Sequence, residues 1–221
     1  MRKVAVVTGC SYGLGLEIAD RLIDEGYFVY GLSRSKPPQK LYSYPDTFMW
    51  CECDITKPDE VMVAFKHIST YIDVLVNNAG VFEYGSFNLF TTKKIDRIID
   101  VNVKGTMYVT NAALDFMNEG SNIFFINSVA GLYEIDNEAV YSASKHAITA
   151  FAGILGKELR GRKIKVTSIH PGGMETPMQM SNPNKKTLLD TKEISNIVVN
   201  TINSKAVYKT IKVFPESEWH Q

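Results

Sequence analysis

The sequence predicts an α/β domain built on a doubly wound, seven-stranded parallel sheet with helices on both faces. Seven short runs rich in apolar, β-branched and aromatic residues recur along the chain. The runs are continuous rather than alternating, as expected of strands buried on both faces. Segments of helical period lie between them. Strands that alternate with helices imply a parallel sheet whose crossovers cover both sides.

The runs are Val4–Val7, Phe28–Leu32, Met49–Cys53, Val74–Val76, Ile123–Ile126, Val166–Ile169 and Ile211–Phe214. After the first, Leu14, Ile18, Ala19, Leu22 and Ile23 fall on one helical stripe. Val61, Ala64, Phe65 and Ile68 form a second stripe, and Ile95, Ile98, Ile99 and Asn102 a third. At least six helices are expected, and right-handed crossovers then fix most of the topology. Ser35-Lys-Pro-Pro-Gln39 reads as a loop after the second strand, and 178–186, with Ser181-Asn-Pro-Asn184, as a mobile loop. No repeat or low-complexity segment interrupts the pattern. Residues 1–221 therefore read as one domain, with a short substrate loop at about 173–190.

The length of 221 residues suits one large domain, and 45% apolar residues are enough to fill its core. Lys plus Arg and Asp plus Glu balance at 24 each. That balance argues against a nucleic-acid footprint or an acidic tail. The apolar stretch near the N-terminus, Val4–Val7, is too short for a signal peptide, which needs about 7–15 residues. No run approaches the roughly 18 residues that span a membrane. Cys10, Cys51 and Cys53 are odd in number and lack framework spacing, which points to reduced thiols and a cytoplasmic setting. Cys51 and Cys53 would share one side of a strand. His67, His146, His170 and His220 offer no companion spacing for a metal site, so no metal is expected. The thiols read as small buried hydrophobes.

The first strand runs straight into Thr8-Gly9-Cys10-Ser11-Tyr12-Gly13-Leu14-Gly15 and then into the first helix. Glycines there let the backbone approach a pyrophosphate, and the helix N-terminus presents free N–H groups and partial positive charge to it. A glycine cluster alone is weak; its place between a strand and a helix raises its value. The spacing is Gly-x3-Gly-x-Gly, not the commoner Gly-x-Gly-x2-Gly.

From residue 3 to about 178 the chain resembles the short-chain dehydrogenase/reductases, whose domain is a Rossmann fold. Asn77-Asn78-Ala79-Gly80 follows the fourth strand, and Pro171-Gly172 follows the sixth, with Thr176 beyond. The resemblance implies that Gly9, Ser11, Tyr12, Gly13, Leu14 and Gly15 hold the cofactor phosphates. It places Asp54 and Ile55 at the adenine, and Asn78, Ala79 and Gly80 at the ribose. Pro171, Gly172, Met174 and Thr176 would close the far side. All of these lie at C-terminal ends of predicted strands, where an open α/β sheet binds its ligand.

Tyr141 and Lys145 stand four apart in an alanine-rich segment, which puts both on one helix face. A free phenol has a pKa of about 10 and is a poor base at neutral pH. A lysine cation beside it favours the phenolate, so the tyrosine can exchange a proton with a carbonyl or alcohol oxygen. A bare Tyr-x3-Lys is common by chance. Here Ser128 stands thirteen residues before the tyrosine, where the family's serine bonds the substrate oxygen. Asn102 matches the family's fourth catalytic position, on a water-borne proton path from Lys145; by itself, an asparagine in an apolar helix reads more often as a structural kink residue. The resemblance thus implies a catalytic set of Asn102, Ser128, Tyr141 and Lys145, with Tyr141 and Lys145 also touching the cofactor. It implies hydride transfer between NADP(H) and a carbonyl or secondary alcohol. Nucleotide-sugar epimerases share the pair but usually carry an extra substrate domain, and related enoyl reductases space the pair differently. A non-catalytic NADP(H)-binding sensor would tend to lose the tyrosine or lysine, and this chain keeps all four positions.

NADPH is expected over NADH because the second strand ends in Ser33-Arg34 rather than an acid. An acid there bonds the free ribose 2′-hydroxyl, while an arginine favours a 2′-phosphate. Tyr12 occupies the loop position where many NADP-dependent members carry a second basic residue, and Arg34 could simply face solvent. Substrate in this family lies between Val129–Asp136, the loop after Gly80, and Gly173–Met180. Met174, Met178 and Met180 make adaptable apolar walls, and no arginine stands ready for an anion. An uncharged or apolar carbonyl compound is expected, though the methionines could serve only to close the cleft. The short stretch after Pro171 implies an open site. Finally, Ala143, Ala147, Ile148, Phe151, Ala152, Ile154 and Leu155 make the helix after Tyr141 apolar on more than one face. A homodimer or homotetramer is expected, since the family commonly pairs this helix with its symmetry mate.

Overall fold

The computed structural model describes residues 2–42, 46–178 and 188–216, with nothing said of the side chain at position 42. Its strands are β1 (Val4–Thr8), β2 (Phe28–Ser33), β3 (Phe48–Glu52), β4 (Ile72–Asn77), β5 (Met117–Ile126), β6 (Lys165–Pro171) and β7 (Thr210–Val213). They form one parallel sheet in the order β3-β2-β1-β4-β5-β6-β7. Each apolar run falls wholly or mostly within a strand. Cys53 and Phe214 fall just past the strands expected to contain them. β5 starts at Met117 rather than Ile123, because Met117 pairs with Ile72 and the ladder resumes at Asn122 beyond the polar stretch Asn118–Ser121. Its register with β4 shifts between Ile72 and Val74, and Gly120 takes a φ of +89°.

The helices are α1 (Gly13–Asp24), α2 (Pro58–Lys66), α3 (Thr92–Ile99), α4 (Thr106–Leu114), α5 (Ala139–Glu158) and α6 (Thr191–Asn203). Leu14, Ile18 and Leu22 of α1 pack with Ile194 and Val198 of α6 against Ala5, Val7, Val74 and Val76. The other face carries Phe65 of α2, Val109 of α4 and Ile148 and Leu155 of α5 over Val4, Val6, Leu75 and Phe125. Alternate residues of β1 therefore enter different layers, and all are buried. That is why the interior strands read as unbroken apolar runs. At the sheet edges β7 alternates and β3 is broken up instead, with Met49, Glu52, Thr210 and Lys212 exposed.

Two features depart from simple periodicity. Ile68 is buried but lies past the end of α2. Asn102 does not continue the α3 stripe. It sits in a π-helical segment, Asp100–Gly105, between α3 and α4. A Cβ at Gly105 would lie 2.7 Å from Ile55 Cγ1, so the helix passes very close to the loop after β3. Such wide turns recur at functional sites.

Cys51 and Cys53 lie in one core layer and Cys10 in the other, all buried and free. Among the described residues no group of His, Cys, Asp and Glu could hold a metal ion, and no helix is long and apolar enough to cross a membrane. Ser181–Asn184, Met180 and His220 lie outside the described residues, as does half of the expected substrate loop, 179–187.

Candidate active site

The strand order reverses beside β1, and the loops leaving β1 and β4 diverge above that point. The glycine loop crosses the gap so tightly that side chains do not fit. Gly9 has φ +68°, and a Cβ there would lie 2.9 Å from Ala79 Cα. At Gly15 a Cβ would lie 2.2 Å from the Gly9 carbonyl oxygen. Thr8 Oγ1 accepts from the N–H groups of Asn78 and Ala79 at 3.0 Å each. Asn78 Nδ2 donates back to the carbonyls of Thr8 at 2.9 Å and Gly9 at 3.2 Å. The asparagine thus ties the ends of β1 and β4 together. Above this seam stands the N-terminus of α1. Tyr12 gives it no side-chain cap, and its first turn holds no acid. Its N–H groups and positive dipole end are therefore left for an anion. A dinucleotide pyrophosphate fits that donor set.

The cleft runs on past Ser11, Tyr12, Ser33, Arg34, Asp54 and Ile55. Arg34 is exposed and forms no ion pair among the described residues. Ser33 is only 6% exposed. Its hydroxyl donates to the Ser35 carbonyl at 2.8 Å and accepts from Trp50 Nε1 at 3.1 Å. Asp54 Oδ1 accepts from the Thr56 N–H at 3.0 Å and its hydroxyl at 2.8 Å.

At the other end α5 carries Tyr141 and Lys145, both buried, with Lys145 Nζ 5.6 Å from the centre of the Tyr141 ring. The ammonium donates to the Ile126 carbonyl at 3.1 Å. Burial pushes the Tyr141 phenol above its ordinary pKa; a hydrogen bond with Ser128 acts against this, and the Glu138 carboxyl adds to it. Burial likewise lowers Lys145 to about 8 and raises Glu138 to about 7. Phe82, on the loop after Gly80, sets its edge on Tyr141 with ring centres 4.8 Å apart and planes at 86°. Nothing in the sequence marked Phe82, because the contact joins two segments distant in the chain.

Asn102 is buried, and its amide serves the backbone around the site. Its Oδ1 accepts from the Val81 N–H at 2.8 Å; its Nδ2 donates to the Val81 carbonyl at 2.9 Å and to Ser144 Oγ at 3.0 Å. This clamps the loop after Gly80 to α5.

One cleft therefore gathers the glycine loop, Ser33, Arg34, Asp54, Ile55, Asn78, Ala79, Gly80, Tyr141, Lys145, Met174 and Thr176. Ser128 reaches Tyr141 without lining the cleft. Pro171 and Gly172 do not line it either. Pro171 ends β6, and the Gly172 N–H donates to the Val213 carbonyl at 2.8 Å, fixing the sheet end. Met178, expected as a substrate wall, lines it, and so does Asn127, which was not singled out as a binding residue. Asn127 had a signal, since it ends the β5 run next to Ser128.

The fold and this cleft define a nucleotide-binding α/β protein with a buried tyrosine–lysine pair at one end. The family model described as short chain dehydrogenase matches residues 3–187. An uncharacterized oxidoreductase of Staphylococcus aureus is 34% identical over 208 residues, covering 89% of each chain. Among solved structures, a short chain dehydrogenase from Burkholderia cenocepacia in complex with NADP is 25% identical with a TM-score of 0.85, covering 96% of each chain. Actinorhodin polyketide ketoreductase with NADPH is 25% identical with a TM-score of 0.83, again over 96% of each chain. The chain belongs to the short-chain dehydrogenase/reductase family of oxidoreductases.

Proposed function

We propose that the protein is an NADP(H)-preferring reductase of a small, uncharged carbonyl compound, able to run in reverse on the secondary alcohol. The supporting observation is the buried Tyr141–Lys145 pair, with Ser128 beside Tyr141, at the end of a cleft whose other end is the glycine cradle. When bound, the nicotinamide supplies or takes the hydride. Ser128 orients the substrate oxygen and Tyr141 gives it a proton as carbonyl becomes alcohol. Lys145 holds the ribose and, while charged, favours ionisation of Tyr141. Asn102 steadies the loop over which substrate enters and belongs to the proton path from Lys145. Consumption of NADPH with a panel of aldehydes, ketones, diketones and quinones tests this reading. Tight NADPH binding without turnover across the panel supports the sensor instead.

The NADPH preference rests on Arg34. Its guanidinium is exposed at the cleft, whereas the Ser33 proton is committed to Ser35. Two of the neighbours quoted above hold NADP or NADPH. Arg34→Ala is expected to lower kcat/KM for NADPH about ten- to a hundredfold, the value of a charged hydrogen bond of roughly 1.5–3 kcal/mol, and to spare NADH. Equal efficiencies of wild type with both cofactors would remove the preference.

A homo-oligomer is part of the same reading. Ala143, Ala150, Gly153 and Ile154 of α5 are exposed, and Ile154 is 52% exposed. This apolar strip fits the helix pairing expected from the resemblance. Light scattering at micromolar concentration should give at least twice the chain mass of 24.8 kDa; a 24.8 kDa particle counts against it.

A further inference from the structure

Ser128 caps a short 3-10 turn, Val129–Gly131, that satisfies much of its own bonding. The hydroxyl accepts from the Ala130 N–H at 3.1 Å, and the Ser128 carbonyl accepts from the Gly131 N–H at 2.9 Å. Both bonds lie within the turn and move with it. The sheet ladder holds the preceding residue, through the Asn127 N–H and the Ile169 carbonyl at 2.8 Å. The bond that joins Ser128 itself to the sheet comes from β6, where His170 Nδ1 lies 2.9 Å from the Ser128 carbonyl oxygen.

His170 is fully buried. A carbonyl only accepts, so Nδ1 must carry the proton and Nε2 is a bare nitrogen. Nε2 is itself buried and has no hydrogen-bond partner among the described residues. Protonating it would place an N–H and a charge where nothing accepts them. Burial depresses the imidazole pKa, and the charges of Lys145, Lys212 and His146 lower it further, against the bond to Ser128. The ring is therefore a fixed neutral donor. Neither the glycine cradle nor the Tyr141–Lys145 pair requires a histidine here.

We infer that His170 is a positioning residue: its Nδ1–H anchors the Ser128 carbonyl to β6 and thereby holds the Ser128 hydroxyl against Tyr141. The inference rests on the reading that Tyr141 and Ser128 act on the substrate oxygen. Without the anchor, the turn is held at its ends, by the Asn127 ladder bond and by Thr149 Oγ1 donating to the Gly131 carbonyl at 2.9 Å, and the serine between them can shift off its line with the phenol. Small misplacements of reacting groups cost up to about a hundredfold in rate.

The test compares His170→Leu with His170→Asn. Leucine fills space without a donor. Asparagine can place Nδ2 where Nδ1 stands. His170→Leu is expected to lower kcat about 10- to 100-fold with the Kd for NADPH unchanged, and His170→Asn to return kcat to within about threefold of wild type. A residue that only fills the core would show the reverse: a lower Tm, with kcat per folded molecule preserved in both variants. That result, or an asparagine variant no better than leucine, overturns the inference. Nitrogen NMR of histidine-labelled wild type reads the bond without activity. The resonance lost in His170→Asn should report the Nδ1–H tautomer at pH 7; an Nε2–H tautomer overturns the inference. A wild type inert across the carbonyl panel overturns the functional reading and the catalytic part of this inference together. A wild type that turns over beside a His170→Leu variant of equal kcat overturns the inference alone.

Discussion

Tyr141→Phe is expected to abolish turnover and leave NADPH binding intact. The change removes one hydroxyl from a buried ring and little volume. The edge contact with Phe82 depends on the ring and should persist. What disappears is the group proposed to exchange a proton with the substrate oxygen, and with it the partner of Ser128. Loss of a general acid alone costs about 10²–10⁴ in rate. The substrate oxygen also loses its main stabilising contact, so the upper end is expected. The measurement is kcat with the best carbonyl of the panel, with NADPH fluorescence titration as the binding control. A phenylalanine variant within tenfold of wild type would sink the mechanism.

Lys145→Met is expected to damage function in two ways while making the apo-protein more stable. Its ammonium is the charge beside Tyr141, and in the proposed reading it also holds the ribose. Turnover should fall at least as far as roughly a hundredfold, and NADPH affinity about tenfold, the value of one charged hydrogen bond. Without the nearby cation the phenol ionises at higher pH, so the optimum for alcohol oxidation should move upward. The stability argument follows from burial. Lys145 has a folded pKa of about 8 against 10.5 when free. A depressed lysine pKa means that the folded state carries a penalty for the charged form. The penalty is complete below pH 8 and fades between pH 8 and 10.5, where the unfolded chain binds more protons. At neutral pH it amounts to about 3 kcal/mol, against about 1–2 kcal/mol for leaving the Ile126 carbonyl without this donor. Methionine should therefore raise the Tm by a few degrees at pH 7, with the gain shrinking toward pH 10. A lower Tm at pH 7 would show that the ammonium is better solvated than its burial implies.

Much of the fold was legible because its parts are local. The continuous runs marked the strands, since interior strands of a parallel sheet bury alternate residues in different layers and keep both apolar. Val4 and Val6 face one layer while Ala5 and Val7 face the other. The glycine cluster was equally readable, because its spacing reflects a backbone that cannot carry a Cβ at Gly15. The start of β5 was not readable. Asn118–Ser121 has no strand character, and the element reaches back to Met117 only because Met117 pairs with Ile72 across a register shift. The π-helical segment was hidden for the same reason, since contact with Ile55 leaves no trace in the spacing of Asp100–Gly105.

The sequence by itself determined the order of elements, the cradle, and the candidate pair Tyr141 and Lys145, because helical spacing places residues four apart on one face. Only the tertiary structure decided how the supporting residues are used. It turned Asn78 toward β1, committed the Ser33 hydroxyl to Ser35, clamped Asn102 on Val81, laid Phe82 on Tyr141 and set His170 under Ser128. All but the Ser33 bond join segments far apart in the chain. Sequence spacing encodes which residues share a helix face or a strand. It does not encode which side chain will meet a backbone carbonyl on another strand once the core has packed.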